Sequence, residues 1–151
     1  MLSIRETDGK DLEFKALCKL LDEHIDSRNG RELQAERYDK YNQTDEIAHA
    51  YVIYLDGKSV GCGAYKYYNS TCAELKRIFV KEEYRRKKIA STLIGRIELD
   101  AYDAGYTYMI LESATSLVEA HQLYYKLGYQ LIDNFEPFTN METSLCMRKK
   151  L

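Results

Sequence analysis

The spacing of apolar residues changes several times along this chain, and each change marks an element. Residues 2–6 alternate and predict a short first strand. Over 11–23, Leu12, Ala16, Leu17, Leu20 and Leu21 recur at three- and four-residue steps, as on a helix. The stretch 27–46 is polar and charged, with a weaker helical pattern over 32–41. His49–Leu55 and 58–68 read as strands joined by Asp56-Gly57, a hairpin dipeptide, and Asn69-Ser70 turns the chain into a third strand, Cys72–Val80. The strongest helical stripe covers 89–104, with Ile89, Leu93, Ile97 and Ala101 on one face and Ala90 and Ile94 beside them. Gly105 follows where a helix end needs a left-handed backbone. Residues 106–111 read as a strand. Ser116-x-x-Glu119 reads as a capping box opening a helix that carries Ala120, Leu123, Tyr124 and Leu127 and stops at Gly128. Residues 129–133 and 143–148 close the chain as strands.

The predicted order is β-α-α-β-β-β-α-β-α-β-β. A helix joining two strands implies a parallel pair within a mostly antiparallel sheet, so the fold class is α/β in the α+β sense: a mixed central sheet of about six to seven strands flanked by about four helices. There is no internal repeat, low-complexity tract or Pro/Gly-rich linker, and Pro137 is the one proline, which predicts a single domain over 1–151.

Charge narrows the function classes. The 22 basic and 24 acidic residues leave a formal net charge of −2, which argues against a nucleic-acid binder and requires any anion site to be local. Cys18, Cys62, Cys72 and Cys146 lie far apart with no C-x-x-C pair, which points to reduced thiols rather than a zinc ribbon or disulfide framework. His24 and His49 have no partner at ligand spacing, so no metal is expected. His121 reads as a solvated helix histidine. No stretch approaches a signal peptide or a membrane span, so no membrane partner and a cytoplasmic location are expected.

One run stands apart. Arg85-Arg86-Lys87-Lys88 lies between the Cys72–Val80 strand and the helix starting near Ile89. It is readable as a solvated charge cluster beside Glu82-Glu83. On composition that is the favoured reading; the second is a phosphate cradle, because a helix N-terminus carries unpaired N–H groups and the positive end of the dipole.

The stretch "AELKRIFVKEEYRRKKIASTLI" resembles the acyl-CoA-binding motif of the Gcn5-related N-acetyltransferases, a hydrophobic strand followed by Arg/Gln-x-x-Gly-x-Gly/Ala opening a helix. Arg85 fills the Arg/Gln position, Lys88 stands where the family prefers its first glycine, Ile89 is the intervening apolar residue and Ala90 the second small one. Downstream, "LESATSLVEAHQLYYKLGYQL" resembles the family's second signature, a strand and a helix ending in Leu-Tyr-x-x-x-Gly-Tyr/Phe, here Leu123, Tyr124, Gly128 and Tyr129. The two motifs occur in the expected order, and the preceding hairpin and helices match the family layout.

The resemblance implies the acyl-CoA N-acyltransferase fold with one splayed parallel strand pair, and acetyl-CoA as cosubstrate without a metal. It implies direct transfer of acetyl to a primary amine of a small molecule or peptide; a homodimer stays open. Ile78, Phe79 and Val80 would bond the pantetheine arm. The N–H groups of Arg86, Lys87, Lys88, Ile89 and Ala90, following Arg85, would hold the pyrophosphate. Tyr124 matches the general acid near the sulfur. Glu74 matches the base of the histone-acetylating branch, with Glu112 as a second candidate; a surface pair of Glu74 with Lys76 or Arg77 is the simpler alternative. Glycine frees a loop to adopt positive φ, and Arg86 and Lys88 remove that freedom. Lys88 is therefore expected within the first helical turn at negative φ. A non-catalytic acyl-CoA sensor of the same fold is the rival reading.

Overall fold

The structure is a computed structural model describing residues 1–151, the side chains of Glu36 and Arg37 excepted; these two members of the charged stretch 27–46 lie outside the described residues. The elements are β1 (Leu2–Thr7), α1 (Leu12–Asn29), α2 (Arg31–Leu33) continued by a π turn (Gln34–Tyr38) and a 3-10 turn (Asp39–Tyr41), β2 (His49–Leu55), β3 (Lys58–Tyr67), β4 (Cys72–Val80), a 3-10 turn (Glu82–Tyr84), α3 (Ile89–Asp103), β5 (Tyr108–Ala114), α4 (Val118–Lys126), β6 (Gln130–Ile132) and β7 (Ser144–Lys150). The predicted order is observed. Seven strands form one sheet in the order β1-β2-β3-β4-β5-β7-β6. Neighbours are antiparallel except β4 and β5, whose parallel register runs from Cys72↔Tyr108 to Glu74↔Ile110 and stops there.

Strand alternation divides the core into two layers. Tyr51, Ile53, Tyr65, Leu75, Met109, Leu111 and Met147 face α3, which buries Ile89, Leu93, Ile94, Ile97 and Ala101. Ala50, Val52, Cys62, Ala64 and Phe79 face Phe14, Leu17, Cys18 and Leu21 of α1. Full burial of a large apolar side chain contributes about 1.5–3 kcal/mol, so these two stripes fix both helices to the sheet. A smaller cluster joins Tyr38 to Phe138 and Cys146, with Tyr41, Phe135 and Met141 packed around it. Among the described residues, no helix is long and apolar enough to cross a membrane.

The hairpin follows its sequence: Asp56 at φ 50 and Gly57 at φ 82 both take the left-handed conformation that a two-residue turn of this hand requires. Asp11 caps α1. Its carboxylate accepts from the Phe14 N–H at 2.9 Å, from Arg5 Nη1 at 2.7 Å and from Thr7 Oγ1 at 3.0 Å. The bond from Arg5 holds the Asp11 carboxyl well below the usual carboxylate range. Asp11→Ala is expected to lower stability by about 1–2 kcal/mol at pH 7. Because the folded pKa is depressed, Asp11 stabilises above its ordinary pKa, and that contribution fades as pH falls through the folded value. Urea unfolding at pH 7 and pH 3 checks both statements, the gap between parent and variant narrowing in acid.

Three features depart from the sequence pattern. Helix α1 continues past residue 23 to Asn29, because Ile25 still packs against the α1 layer and Gly30, at φ 90, ends the helix. The capping box does not form: Ser116 donates instead to the Asn29 side chain, and α4 starts at Val118 with Leu117 as its N-cap. Strand β5 runs over Tyr108–Ala114 rather than 106–111, because its pairing with β7 carries the polar pair Glu112 and Ser113 into the ladder.

Strand β4 also carries a bulge. Cys62 pairs with Phe79 and Ala64 with Lys76, so β4 has one residue more than β3 between these pairs. Arg77, within that stretch, sits at φ 59. Its Nη2 donates to the Cys18 carbonyl at 2.9 Å and to Asp22 Oδ1 at 2.6 Å, which ties the bulge to α1.

Candidate functional site

Where β4 and β5 part, the sheet opens. Beyond Glu74, the β4 residues have no partner on β5. A cleft of ≈ 120 Å³ occupies the gap, lined by Glu74, Lys76, Arg77 and Ile78 of β4, Leu111 and Glu112 of β5, Tyr124 of α4, and Asn29 and Tyr38 from the α1 side. Glu74 and Tyr124 belong to opposite layers. Glu74 lies on the face of Lys76, which pairs with Ala64 in the α1 layer, whereas Tyr124 packs in the α3 layer. An unbroken sheet would separate them; the gap brings both to one space.

The polar groups of the cleft are linked. Glu74 is 8% exposed and lies 3.7 Å from Lys76 Nζ, which donates to the Tyr41 carbonyl at 2.9 Å. Burial lowers the Lys76 pKa, against the pull of Glu74 and Glu112. Burial raises the Glu112 pKa, against a 2.7 Å hydrogen bond from Ser144 Oγ to Glu112 Oε2. The Tyr38 hydroxyl extends this chain, 2.8 Å from Ser144 Oγ and 2.6 Å from Thr143 Oγ1.

Tyr124 is also 8% exposed, its ring edge-on to Tyr129 with centroids 5.8 Å apart. Its hydroxyl has no hydrogen-bond partner among the described residues. Burial, and then the charge of Glu112, raises its pKa, so the hydroxyl stays protonated at neutral pH. His121, expected as a solvated helix residue, is instead buried: its Nε2 lies 2.9 Å from the Ala114 carbonyl and 3.2 Å from Ser113 Oγ. Among the described residues, no group of three or more potential metal ligands is assembled.

The cationic run forms the corner between β4 and α3, and here one expectation is corrected. Lys88 is not in the first turn at negative φ; it is the N-cap of α3 at φ 60 and ψ 19, and Arg86 has φ 64. The chain leaves the Glu82–Tyr84 turn and enters α3 within four residues, and both glycine-preferring positions keep the left-handed backbone although they carry long cations. Left-handed residues of this kind turn successive N–H groups into an anion-binding concavity. Helix α3 has no side-chain cap and no acidic residue in its first turn. Arg85 points back to the strand: its Nε donates to the Val80 carbonyl at 2.9 Å and its guanidinium lies 5.7 Å from the Phe79 ring centroid. A left-handed non-glycine residue costs about 1–2 kcal/mol. Lys88→Gly is therefore expected to stabilise the free protein by about 1 kcal/mol, whereas Lys88→Ala, equally strained, gains nothing; chemical denaturation separates the two.

The sequence offers Lys76 or Arg77 as a surface partner for Glu74, as the alternative to its role as base; in the structure Lys76 lies nearest Glu74 but within the cleft, and Arg77 pairs with Asp22. A signal is present: Glu74 and Lys76 are charged residues two apart, and so on one face, in a strand whose other residues are apolar except Arg77. Nothing in the sequence pattern marked Tyr38, Thr143 and Ser144, which meet only through the fold.

Comparison with known proteins bears on the same region. An uncharacterised N-acetyltransferase of Dictyostelium discoideum is 35% identical over 79 residues, 51% of this chain and 37% of its own length. The chain thus spans well under half of that relative. A crystal structure from Klebsiella pneumoniae, assigned as an acyl-CoA N-acyltransferase, matches with a TM-score of 0.81 and 26% identity, over 100% of this chain and 98% of that one. A GNAT family acetyltransferase from Elizabethkingia anophelis, solved with acetyl-CoA bound, matches with a TM-score of 0.72 at 16% identity, over 99% and 98% of the two chains, a likeness of fold. The family model matches residues 15–129, most of the chain and all of the cleft's β4, β5 and α4 walls, and the chain belongs to the acetyltransferase (GNAT) family.

Proposed function

We propose that this chain transfers an acetyl group from acetyl-CoA directly to a primary amine of a small molecule or peptide, with Glu74 as base and Tyr124 as acid. The observation that carries the reading is the gap between β4 and β5, onto which Glu74 and Tyr124 both open from opposite layers. The Elizabethkingia protein of the same fold holds acetyl-CoA, the cosubstrate this reading assigns.

In this reading, the N–H groups from Arg86 to Ala90 hold the pyrophosphate, and Arg86, Lys87 and Lys88 add charge. An uncapped helix N-terminus with no acidic residue in its first turn favours such an anion. Arg85 braces the loop against the end of β4 instead of facing the anion. The unpaired β4 edge at Ile78, Phe79 and Val80 offers its backbone groups to the amides of the pantetheine arm, as one strand does to another. Ala90 is small enough for the helix to lie close to it.

The chain's residues then have distinct tasks. Glu74 takes a proton from the acceptor's ammonium, directly or through water, and so frees the amine. A backbone N–H of the open β4 edge bonds the thioester oxygen as charge builds there. The new C–N bond forms and the C–S bond breaks; Tyr124 gives its proton to the departing sulfur, and the second proton that the nitrogen must lose returns to the Tyr124 oxygen, directly or through water. Glu74 suits the base role better than Glu112, because Ser144 already occupies Oε2 of Glu112 whereas Glu74 accepts no hydrogen bond among the described residues.

Acetyl-CoA should raise the melting temperature by linkage, equivalent to about 2.7 kcal/mol at a hundred times Kd. Arg86→Glu combined with Lys88→Glu should abolish the rise. No rise at millimolar acetyl-CoA in the unsubstituted protein would overturn the assignment.

A further inference from the structure

A lysine amine already stands where the reaction above needs an amine. Among the described residues, Lys76 is the one lysine that lines the cleft, which it shares with Glu74, Glu112 and Tyr124. It follows Glu74 by two residues on β4, on the same face of the strand and beyond the last pairing of β4 with β5. Its Nζ lies 3.7 Å from Glu74 Oε2, and only 11% of either side chain is exposed.

A base must come within hydrogen-bond reach of the ammonium it deprotonates. The Lys76 ammonium nearly meets that condition in the free protein, and a small torsion of either side chain closes the remaining gap to Glu74. It is held lightly. An ammonium carries three N–H donors, yet Nζ makes one hydrogen bond among the described residues, to the Tyr41 carbonyl at 2.9 Å. Burial lowers the pKa of this amine; Glu74 and Glu112 act against that, whereas Lys66 and Arg77 act with it. A lysine that gives up its proton more readily than an exposed one is the better nucleophile at neutral pH.

We propose that Lys76 is itself a site of acetylation: with acetyl-CoA bound, its Nζ attacks the thioester within the same molecule, after Glu74 has taken the ammonium proton. The proposal rests on the acetyltransferase reading above and adds an acceptor inside the chain to the external amine. The bond from Nζ to the acetyl carbon forms and the C–S bond breaks. Tyr124 gives its proton to the sulfur, and the second proton that Nζ must lose returns to the Tyr124 oxygen, directly or through water. The products are an uncharged amide on Lys76 and the free thiol of CoA. That amide no longer pairs with Glu74, and it fills part of the ≈ 120 Å³ in which an external amine would have to sit.

The test incubates the whole protein with acetyl-CoA labelled in its acetyl group, without an added acceptor, and follows each lysine by peptide mass spectrometry. Lys10 and Lys58 are exposed and serve as internal references, because they meet acetyl-CoA only by collision. Lys76 should take up label at least about a hundredfold faster than either, the gain from holding amine and thioester together. The fraction labelled at a given time should be the same at every protein concentration, as for a reaction within one molecule. Tyr124→Phe and, separately, Glu74→Gln should slow labelling of Lys76 and leave Lys10 and Lys58 unchanged. Labelling of Lys76 no faster than the references, faster at higher protein concentration, or undiminished in either variant would overturn the proposal. So would an acetyl-CoA thermal shift with no label on Lys76, a result that leaves the acetyltransferase reading standing. Absence of both the thermal shift and the label would sink the two together.

Discussion

Tyr124→Phe should slow acetyl transfer by about a hundredfold or more, within the usual range for a lost general acid, while acetyl-CoA still raises the melting temperature as in the parent protein. The exchange removes one oxygen and keeps the ring, so the edge-on contact with Tyr129 survives. Stability should stay within about 0.5 kcal/mol, because the deleted hydroxyl makes no hydrogen bond among the described residues and Tyr124 lines the cleft. A merely structural Tyr124 would therefore show no change in rate. The raised pKa of this hydroxyl fits a donor that is fully protonated when the sulfur departs. Single-turnover rates and thermal shifts on the same samples decide it: an undiminished rate removes Tyr124 as the acid.

Much of this architecture was legible because burial is one-sided along most elements. β2 and β4 fall on their expected residues, and α3 ends within one residue of expectation, because period-two and period-3.6 patterns report directly on two sheet faces and one helix stripe. What the pattern missed is held by contacts between elements. Residues 24–29 are polar enough to read as loop, yet Ile25 and the Ser116–Asn29 contact keep them helical, and that contact also empties the capping box. Glu112 and Ser113 look like loop residues until β7 supplies the ladder. The stretch 32–41 is helical as expected, but passes through π and 3-10 geometry that no periodicity encodes.

At the site the boundary is of the same kind. The strand–cation–helix corner could be named from sequence, because charge and helix polarity are local. The angle at Lys88 could not, because it is set by how abruptly the chain must turn from β4 into α3; the turn wins over the side chain's preference. The cleft between β4 and β5 draws its lining from α1, Tyr38, both strands and α4, so its grouping of charges exists only after folding.

Asp22→Ala should destabilise the protein by about 3 kcal/mol, the low end for breaking a buried ion pair, since Asp22 itself is half exposed. The reason lies with the residue left behind. The Arg77 side chain is 2% exposed, its Nη2 is held by the Cys18 carbonyl and Asp22, and its Nε is buried with no partner. Without Asp22, a cation already short of one hydrogen bond keeps a single carbonyl for company. For a chain of this length, about 3 kcal/mol corresponds to a fall of roughly 6–12 °C in melting temperature. Asp22→Asn, which retains an acceptor, should lose less. Asp22→Ala with Arg77→Met separates desolvation from attraction: if the loss comes from stranding a charge, the double variant should recover most of it, because an apolar chain of similar length carries no penalty there. Met keeps the same left-handed strain as Arg, so the backbone contribution is held fixed between the two variants. The functional readout is the acetyl-CoA midpoint. Arg77 anchors the β4 bulge to α1, one residue before the open edge at Ile78, so Asp22→Ala should weaken acetyl-CoA binding as well as stability, and the double variant should restore stability more fully than binding. Equal recovery of both would mean that the edge holds its shape without the anchor.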